Sequence, residues 1–320
     1  MPIPHGVYTP VVTFFQDKAS GYALDLDTQA KHANFLADSG LAGVVLLGST
    51  GEAVNLTQKE RVSLVTSTTK AVRDAGHKDF TIVVGVAQQN WSEAIEEVNL
   101  QAEAGAQYAM VLAPNYFAGT QLTQEGIIEW YTAVADAAKI PIILYYYPGV
   151  SNNLKIDHST FNTLAAHKNV VGTKLSHSEC SWHGLLALDP ENVKNDFSVL
   201  TGLGQMLLPC MTVGVIGAID AVSGAFPKTL KRLYDLSVLV RDGKGTPEIM
   251  KEAAHVQYVV SWAAEIVDVF GPLGTKELTR RATGFGRENG SRPPMSGKVD
   301  WTDWEKVYKD ISDLEKSLEV

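Results

Sequence analysis

Lys174 lies near the end of the stretch VVGTKLSH, residues 170–177, and a charged amine closing a run of strand formers invites a chemical explanation. An ordinary lysine titrates near 10.4, so fewer than about one in a thousand are neutral at pH 7. Desolvation raises that neutral fraction and makes the amine a nucleophile. Two other places carry groups that could work beside it. Tyr145 and Tyr147 end the run PIILYYYP, residues 141–148. Ser49 and Thr50 stand between Gly48 and Gly51 in GSTGEA, where flanking glycines let backbone N–H groups approach a small anion and two hydroxyls add donors. Each also has a plain reading: an ion-paired lysine, core tyrosines, a mere turn. On a strand, Val170, Gly172, Lys174 and Ser176 would share one face, and Val171, Thr173 and Leu175 the other.

These groups can act together only if the fold brings them to one place. Eight short apolar runs punctuate the chain, at residues 7–15, 43–48, 81–86, 108–114, 141–148, 170–176, 197–202 and 213–222. Most gaps between them have helical periodicity, such as DTQAKHANFLADSG ending in Gly40 and TQKERVSLVTSTTKAVRDAG ending in Gly76, where glycine is the expected C-cap. Thr57 and Glu60 form a capping-box pair ahead of the second helix. Near-continuous apolar strands alternating with helices indicate a parallel sheet covered by helices, and eight such units indicate a (β/α)8 TIM barrel, an α/β fold. A doubly wound open sheet is the weaker alternative, because the first run is not followed by G-x-G-x-x-G. Beyond residue 226 the pattern is helical alone. The expected organisation is therefore a catalytic barrel over residues 1–226 and a C-terminal helical extension over 227–320 packed on it. In such a barrel the active site lies at the C-terminal ends of the strands, which is where Lys174, Tyr145 and the GSTGEA loop would converge.

Composition narrows the partners. With 320 residues, 45% hydrophobic and 20% charged, the chain reads as an ordinary globular protein, and its net charge of -9 disfavours nucleic acid or an anionic membrane surface. Cys180 and Cys210 are too few for a disulfide framework and read as reduced thiols. The eight histidines form no H-x-x-x-H or H-E-x-x-H pair, so no metal is expected. Gly202-Leu203-Gly204 and Gly284-Phe285-Gly286 lack the third glycine of a nucleotide fingerprint, and no P-loop is present. No apolar run approaches the roughly 20 residues of a membrane span. The N-terminal MPIPHGVYTPVVTFF has neither a signal-peptide nor a transit-peptide pattern, which reads as cytoplasmic.

GSTGEA, LAPNYF, YYYP and GTK, in that order and at these spacings, resemble the dihydrodipicolinate synthase and N-acetylneuraminate lyase superfamily over essentially the whole chain. The resemblance implies a class I aldolase barrel without a cofactor, a homo-oligomer built as a dimer of dimers, whose small-molecule substrate is a 2-oxo acid released as pyruvate and an aldehyde. It implies Lys174 as the Schiff-base lysine, Tyr145 as the proton-relay tyrosine, Ser49 as the relay hydroxyl and Thr50 as its partner in binding the carboxylate. Tyr116 resembles the tyrosine that crosses into a neighbour's site, although two adjacent aromatics often stand there and this chain has Asn115-Tyr116. Gly202 and Ile219 resemble backbone positions lining the pyruvate pocket.

Synthases of dihydrodipicolinate usually carry an arginine two residues after the proline of Y-x-x-P; here Gly149 and Val150 follow Pro148. That disfavours aspartate semialdehyde, and the stretches LTGLGQMLLPCMTVGVIGAI and ERVSLVTSTTKAV look more like aldolases of 2-keto-3-deoxy sugar acids and of 4-hydroxy-2-oxoglutarate. Tyr147, Ser151, Asn152 and Asn153 are expected to supply donors to the aldehyde half, which suits a neutral polyhydroxylated aldehyde. The sugar acids are accordingly favoured, with 4-hydroxy-2-oxoglutarate a close competitor. The alternatives are a dihydrodipicolinate synthase, an N-acetylneuraminate lyase, a metal-dependent aldolase, and a non-catalytic paralogue that binds a 2-oxo acid.

Overall fold

A computed structural model describes residues 1–119 and 121–318. Each of the eight apolar runs contributes one strand: β1 (Gly6–Pro10), β2 (Gly43–Leu46), β3 (Thr81–Val86), β4 (Tyr108–Leu112), β5 (Ile142–Tyr146), β6 (Val170–Leu175), β7 (Ser198–Thr201) and β8 (Gly217–Ile219). All pair in parallel in sequence order, and β8 returns to β1 to close the barrel. The first and last runs overshoot their strands. β1 stops at Pro10, which has no N–H to continue a ladder. In the last run only Gly217–Ile219 is strand, because Asp220 accepts the Val222 N–H and turns the chain into a short 3-10 segment, Ala221–Gly224.

The expected alternation on β6 holds only from Gly172 onward. The pairing with β5 slips one residue, Ile142 facing Val170 but Ile143 facing Gly172. This bulge turns Val171 into the barrel interior and leaves Val170 on the outer face. Val170 therefore does not share a face with Lys174, whereas Lys174 itself does point inward.

Two apolar layers result. Inside the barrel, Tyr8, Val45, Val83, Met110, Ile143 and Leu200 pack on one another. The N-terminal segment plugs the lower end, with Ile3 buried and Tyr8 and Tyr108 donating hydrogen bonds to the carbonyls of Pro4 and Pro2. Outside, one continuous core joins the outward strand residues to the helices. The second barrel helix, Gln58–Asp74, carries the full Thr57–Glu60 capping box.

The C-terminal part consists of helices Pro227–Arg241, Pro247–Thr283 and Glu305–Ser317. Leu230, Leu233, Val256, Val260, Leu278 and Ile311 belong to the same outer core as the barrel. Helix Pro227–Arg241 follows β8 after the 3-10 segment Ala221–Gly224 and takes the place of the barrel's eighth helix. The long helix breaks at Gly271, which has φ 56° and ψ −140°, immediately before Pro272. After it, the segment 284–298 is tied back by Arg292, which bonds the Glu60 carboxylate and the Tyr22 carbonyl. Cys180 and Cys210 are free thiols with sulfurs 3.8 Å apart. Among the described residues no helix is long and apolar enough to cross a membrane, and no group of three or more His, Cys, Asp or Glu is placed to hold a metal ion.

Candidate active site

With its lower end plugged, the barrel opens at the C-terminal ends of its strands into a cavity of about 490 Å³. Lys174, Tyr145, Ser49, Thr50, Gly202 and Ile219 all line it. The convergence expected from the sequence is thus met for six of the seven candidate residues. Tyr116 is placed differently. It sits on the loop after β4, 76% exposed and packed edge-on against Phe117, and is absent from the lining of its own chain's cavity.

Lys174 is only 5% exposed and forms no ion pair with any described carboxylate, which removes the salt-bridge reading. Burial pulls its ammonium down to about 7, against the opposing pull of the nearby Asp220 carboxylate. A much larger share of the amine is then neutral at pH 7 than in an ordinary lysine. Its Nζ lies 4.6 Å from the centre of the Tyr145 ring, which is directly opposite it across the β5–β6 pairing.

The three consecutive tyrosines separate by face. Tyr145 and Tyr147 line the cavity, whereas Tyr146 turns outward onto Phe161, His177 and Trp182. The Tyr145 hydroxyl lies 3.2 Å from Ser49 Oγ. Burial pushes its phenol up to about 12, with the Ser49 and Ser176 hydroxyls opposing the rise. It is therefore protonated at neutral pH and able to pass a proton along the Ser49 contact.

The GSTGEA loop owes its position to an unusual backbone. Leu47 just before it and Glu52 within it, neither of them glycine, adopt left-handed conformations at φ 61° and 53°. Gly85 of β3 makes room: a Cβ there would lie 2.2 Å from the Leu47 carbonyl oxygen. At the far end Glu52 is buried in an ion pair with Lys276, and the Ser291 hydroxyl donates to its carboxylate at 3.2 Å. A buried charge needs such partners. Thus the loop that presents Ser49 and Thr50 is anchored by the C-terminal helices.

Gly202 has an equally concrete reason to be glycine. A Cβ on it would fall 2.0 Å from Ser176 Oγ and 2.9 Å from Lys174 Cε. Two groups were not foreseen as site residues. Ser176, placed two positions beyond the lysine, lines the cavity, and its signal was the same alternation that aimed Lys174 inward. Asp220 lies behind the cavity, 3% exposed, accepting N–H bonds from Gly204 at 2.9 Å and Val222 at 3.1 Å. Burial raises its carboxyl to about 6. Nothing local in GAIDAV marks it.

The outer half of the cavity differs from expectation. Val150 and Tyr147 face it, but Ser151, Asn152 and Asn153 do not. Ser151 is fully buried, and Asn152 turns away to donate to the Asn115 carbonyl at 3.0 Å. A tight 3-10 turn, Pro148–Val150, followed by two left-handed asparagines sends these side chains elsewhere. Their place is taken by Gln89, Asn115 and Asp268.

A profile of the dihydrodipicolinate synthetase family matches residues 3–295. The chain belongs to this family. A Hypocrea jecorina relative named L-threo-3-deoxy-hexylosonate aldolase is 34% identical, over 89% of this chain and 88% of its own. A relative from Emericella nidulans, named "Probable 4-hydroxy-2-oxoglutarate aldolase, mitochondrial", is 29% identical over 99% of this chain and 98% of its own. A solved dihydrodipicolinate synthase family structure from Coccidioides immitis superimposes with a TM-score of 0.83 at 29% identity, covering 99% of both chains. The family membership and the (β/α)8 barrel thus agree with the reading of the motifs.

Proposed function

We propose that this carbon–carbon lyase is a class I aldolase that cleaves a 2-keto-3-deoxy sugar acid to pyruvate and a neutral aldehyde. The single observation that carries the reading is a lysine buried in the barrel mouth, its ammonium destabilised by burial, with Tyr145 and Ser49 hydrogen-bonded to each other beside it. The neutral amine attacks the ketone carbon, and loss of water from the carbinolamine gives a protonated imine. As the hydroxyl on C4 loses its proton toward Tyr145 and Ser49, the C3–C4 bond breaks and its electron pair enters the iminium, leaving an enamine. Protonation at C3 and hydrolysis release pyruvate and restore the amine.

The hydroxyls of Ser49 and Thr50 suit the substrate carboxylate and would orient the ketone toward Lys174 without a metal. Gly202 and Ile219 form the close-fitting wall around the three-carbon unit. A non-catalytic sensor would have no need of a desolvated lysine or a phenol relay. 4-Hydroxy-2-oxoglutarate is the competing substrate, favoured by the name of the Emericella nidulans relative. Assembly as a dimer of dimers, with Tyr116 reaching a neighbour's relay, belongs to the same proposal and is supported by its exposure. So does a cytosolic place of action, although the Emericella nidulans relative is named mitochondrial.

The test is chemical trapping. Pyruvate with borohydride should inactivate the enzyme and leave a reduced three-carbon adduct on Lys174 in a peptide mass map. An adduct on another residue, or none, sinks the mechanism.

A further inference from the structure

The outer wall of the cavity is electronegative. Apart from Lys174 the described lining of the whole cavity contains no lysine or arginine, while it does contain two carboxylates, Glu52 at the inner end and Asp268 at the outer. Glu52 is neutralised by Lys276. Asp268 has no ion pair among the described residues; its one partner is the Gln205 side-chain amide, which donates to Oδ2 at 3.0 Å. Burial and the charge of neighbouring Glu265 raise its carboxyl above the ordinary range, with the Gln205 bond opposing.

The backbone adds to this field. Asp268 sits in the last turn before the break at Gly271, and Gly271 and Pro272 both line the cavity. The end of the first helical half therefore abuts the mouth, and a helix C-terminus carries partial negative charge. Pro272, four residues on, has no N–H to offer the Asp268 carbonyl. Across the mouth stands Tyr147, close enough for the Asp268 charge to disfavour its phenolate.

Resting on the aldolase reading above, we infer that Asp268 is the residue that sorts the aldehyde by charge, accepting a hydroxyl of a neutral polyhydroxylated aldehyde and repelling one that carries a carboxylate. The inner end of the cavity is where a substrate carboxylate is welcome, because the GSTGEA loop supplies donors there. Asp268 is exposed at the rim, so a second carboxylate at the outer end would meet its charge and a helix C-terminus with no lining cation to offset the repulsion. A hydroxyl meets the opposite situation, since an ionised carboxylate is an acceptor without donors of its own. Asp268 is placed away from the reacting carbons, so its effect belongs to KM for the aldehyde rather than to kcat.

The experiment measures condensation of pyruvate with glyceraldehyde and with glyoxylate, in the unaltered enzyme and in Asp268→Asn. The unaltered enzyme should favour glyceraldehyde. The substitution should raise the glyoxylate-to-glyceraldehyde ratio of kcat/KM by about tenfold, mainly through KM, as expected for one unpaired charge at a partly wet site. Asp268→Lys should raise the ratio further. A ratio unchanged in both variants, with the pyruvate adduct on Lys174 still trapped in the unaltered enzyme, overturns the role of Asp268 alone. If that adduct does not form, the aldolase reading fails and this inference with it.

Discussion

The inner and outer halves of the cavity are made of different materials. Inside, Lys174, Tyr145 and Ile219 project from the ends of β6, β5 and β8, buried and held in register by neighbouring strands. Outside, Gln89, Asn115, Val150 and Asp268 come from loops and from one broken helix, and several are exposed. Bond making demands reacting atoms held within fractions of an ångström, and strand ends provide that. Sorting an aldehyde by size and charge tolerates looser placement, and loops provide it in a form that can change without disturbing the strands.

Three measurements would break or sharpen this contrast. Tyr145→Phe keeps the ring and removes the relayed proton, so kcat should fall by roughly 10² to 10⁴ while the pyruvate imine still forms, more slowly. A kcat within about twofold of the unaltered enzyme would reduce Tyr145 to packing and erase the distinction between the halves. Gly202→Ala tests how tightly the inner half is fitted. Its methyl must displace Ser176 or the Lys174 stem, so kcat/KM should drop by about 10- to 100-fold with little change in stability on thermal unfolding. Unaltered kinetics would show that the inner half has slack.

The smallest effect expected is a shift in pH dependence. Burial lowers the Lys174 ammonium to about 7 and the proposed nucleophile is its neutral amine, so kcat/KM should climb as pH rises through about 7 and level off above it. The Asp220 carboxylate, raised to about 6, is mostly charged at pH 7 and above and holds the lysine higher than burial alone would. Asp220→Asn keeps one acceptor oxygen, gives up the other along with the charge, and should move the rising limb toward lower pH. A limb that stays in place would mean the carboxylate serves only Gly204 and Val222.

The sequence made the inner half readable because its signals are local and periodic. GSTGEA, the strand-end tyrosines and GTK each announce themselves within a few residues, and an eightfold alternation of strands and helices brings them to one face. Even there, the slip at Val171 was invisible, since a bulge depends on the partner strand and not on VVGTK alone. The outer half was read wrongly where a turn redirected the chain: Ser151, Asn152 and Asn153 follow Tyr147 closely in sequence yet point away from the cavity. Asp268 lies more than ninety positions after Lys174 in an amphipathic helix, where an aspartate is ordinarily a solvated surface residue. Only the break at Gly271–Pro272, seen in three dimensions, gives it an address.

That break divides one helix between two duties. Before it, Asp268 lines the cavity mouth; after it, Thr275 donates to the Gly271 carbonyl at 3.1 Å and Lys276 pairs with Glu52 of the GSTGEA loop. A kink interrupts helical geometry and so uncouples the turns on its two sides. Residues upstream of Gly271 can therefore vary at the cavity mouth while the downstream turn, through Lys276 and Glu52, keeps the GSTGEA loop in place.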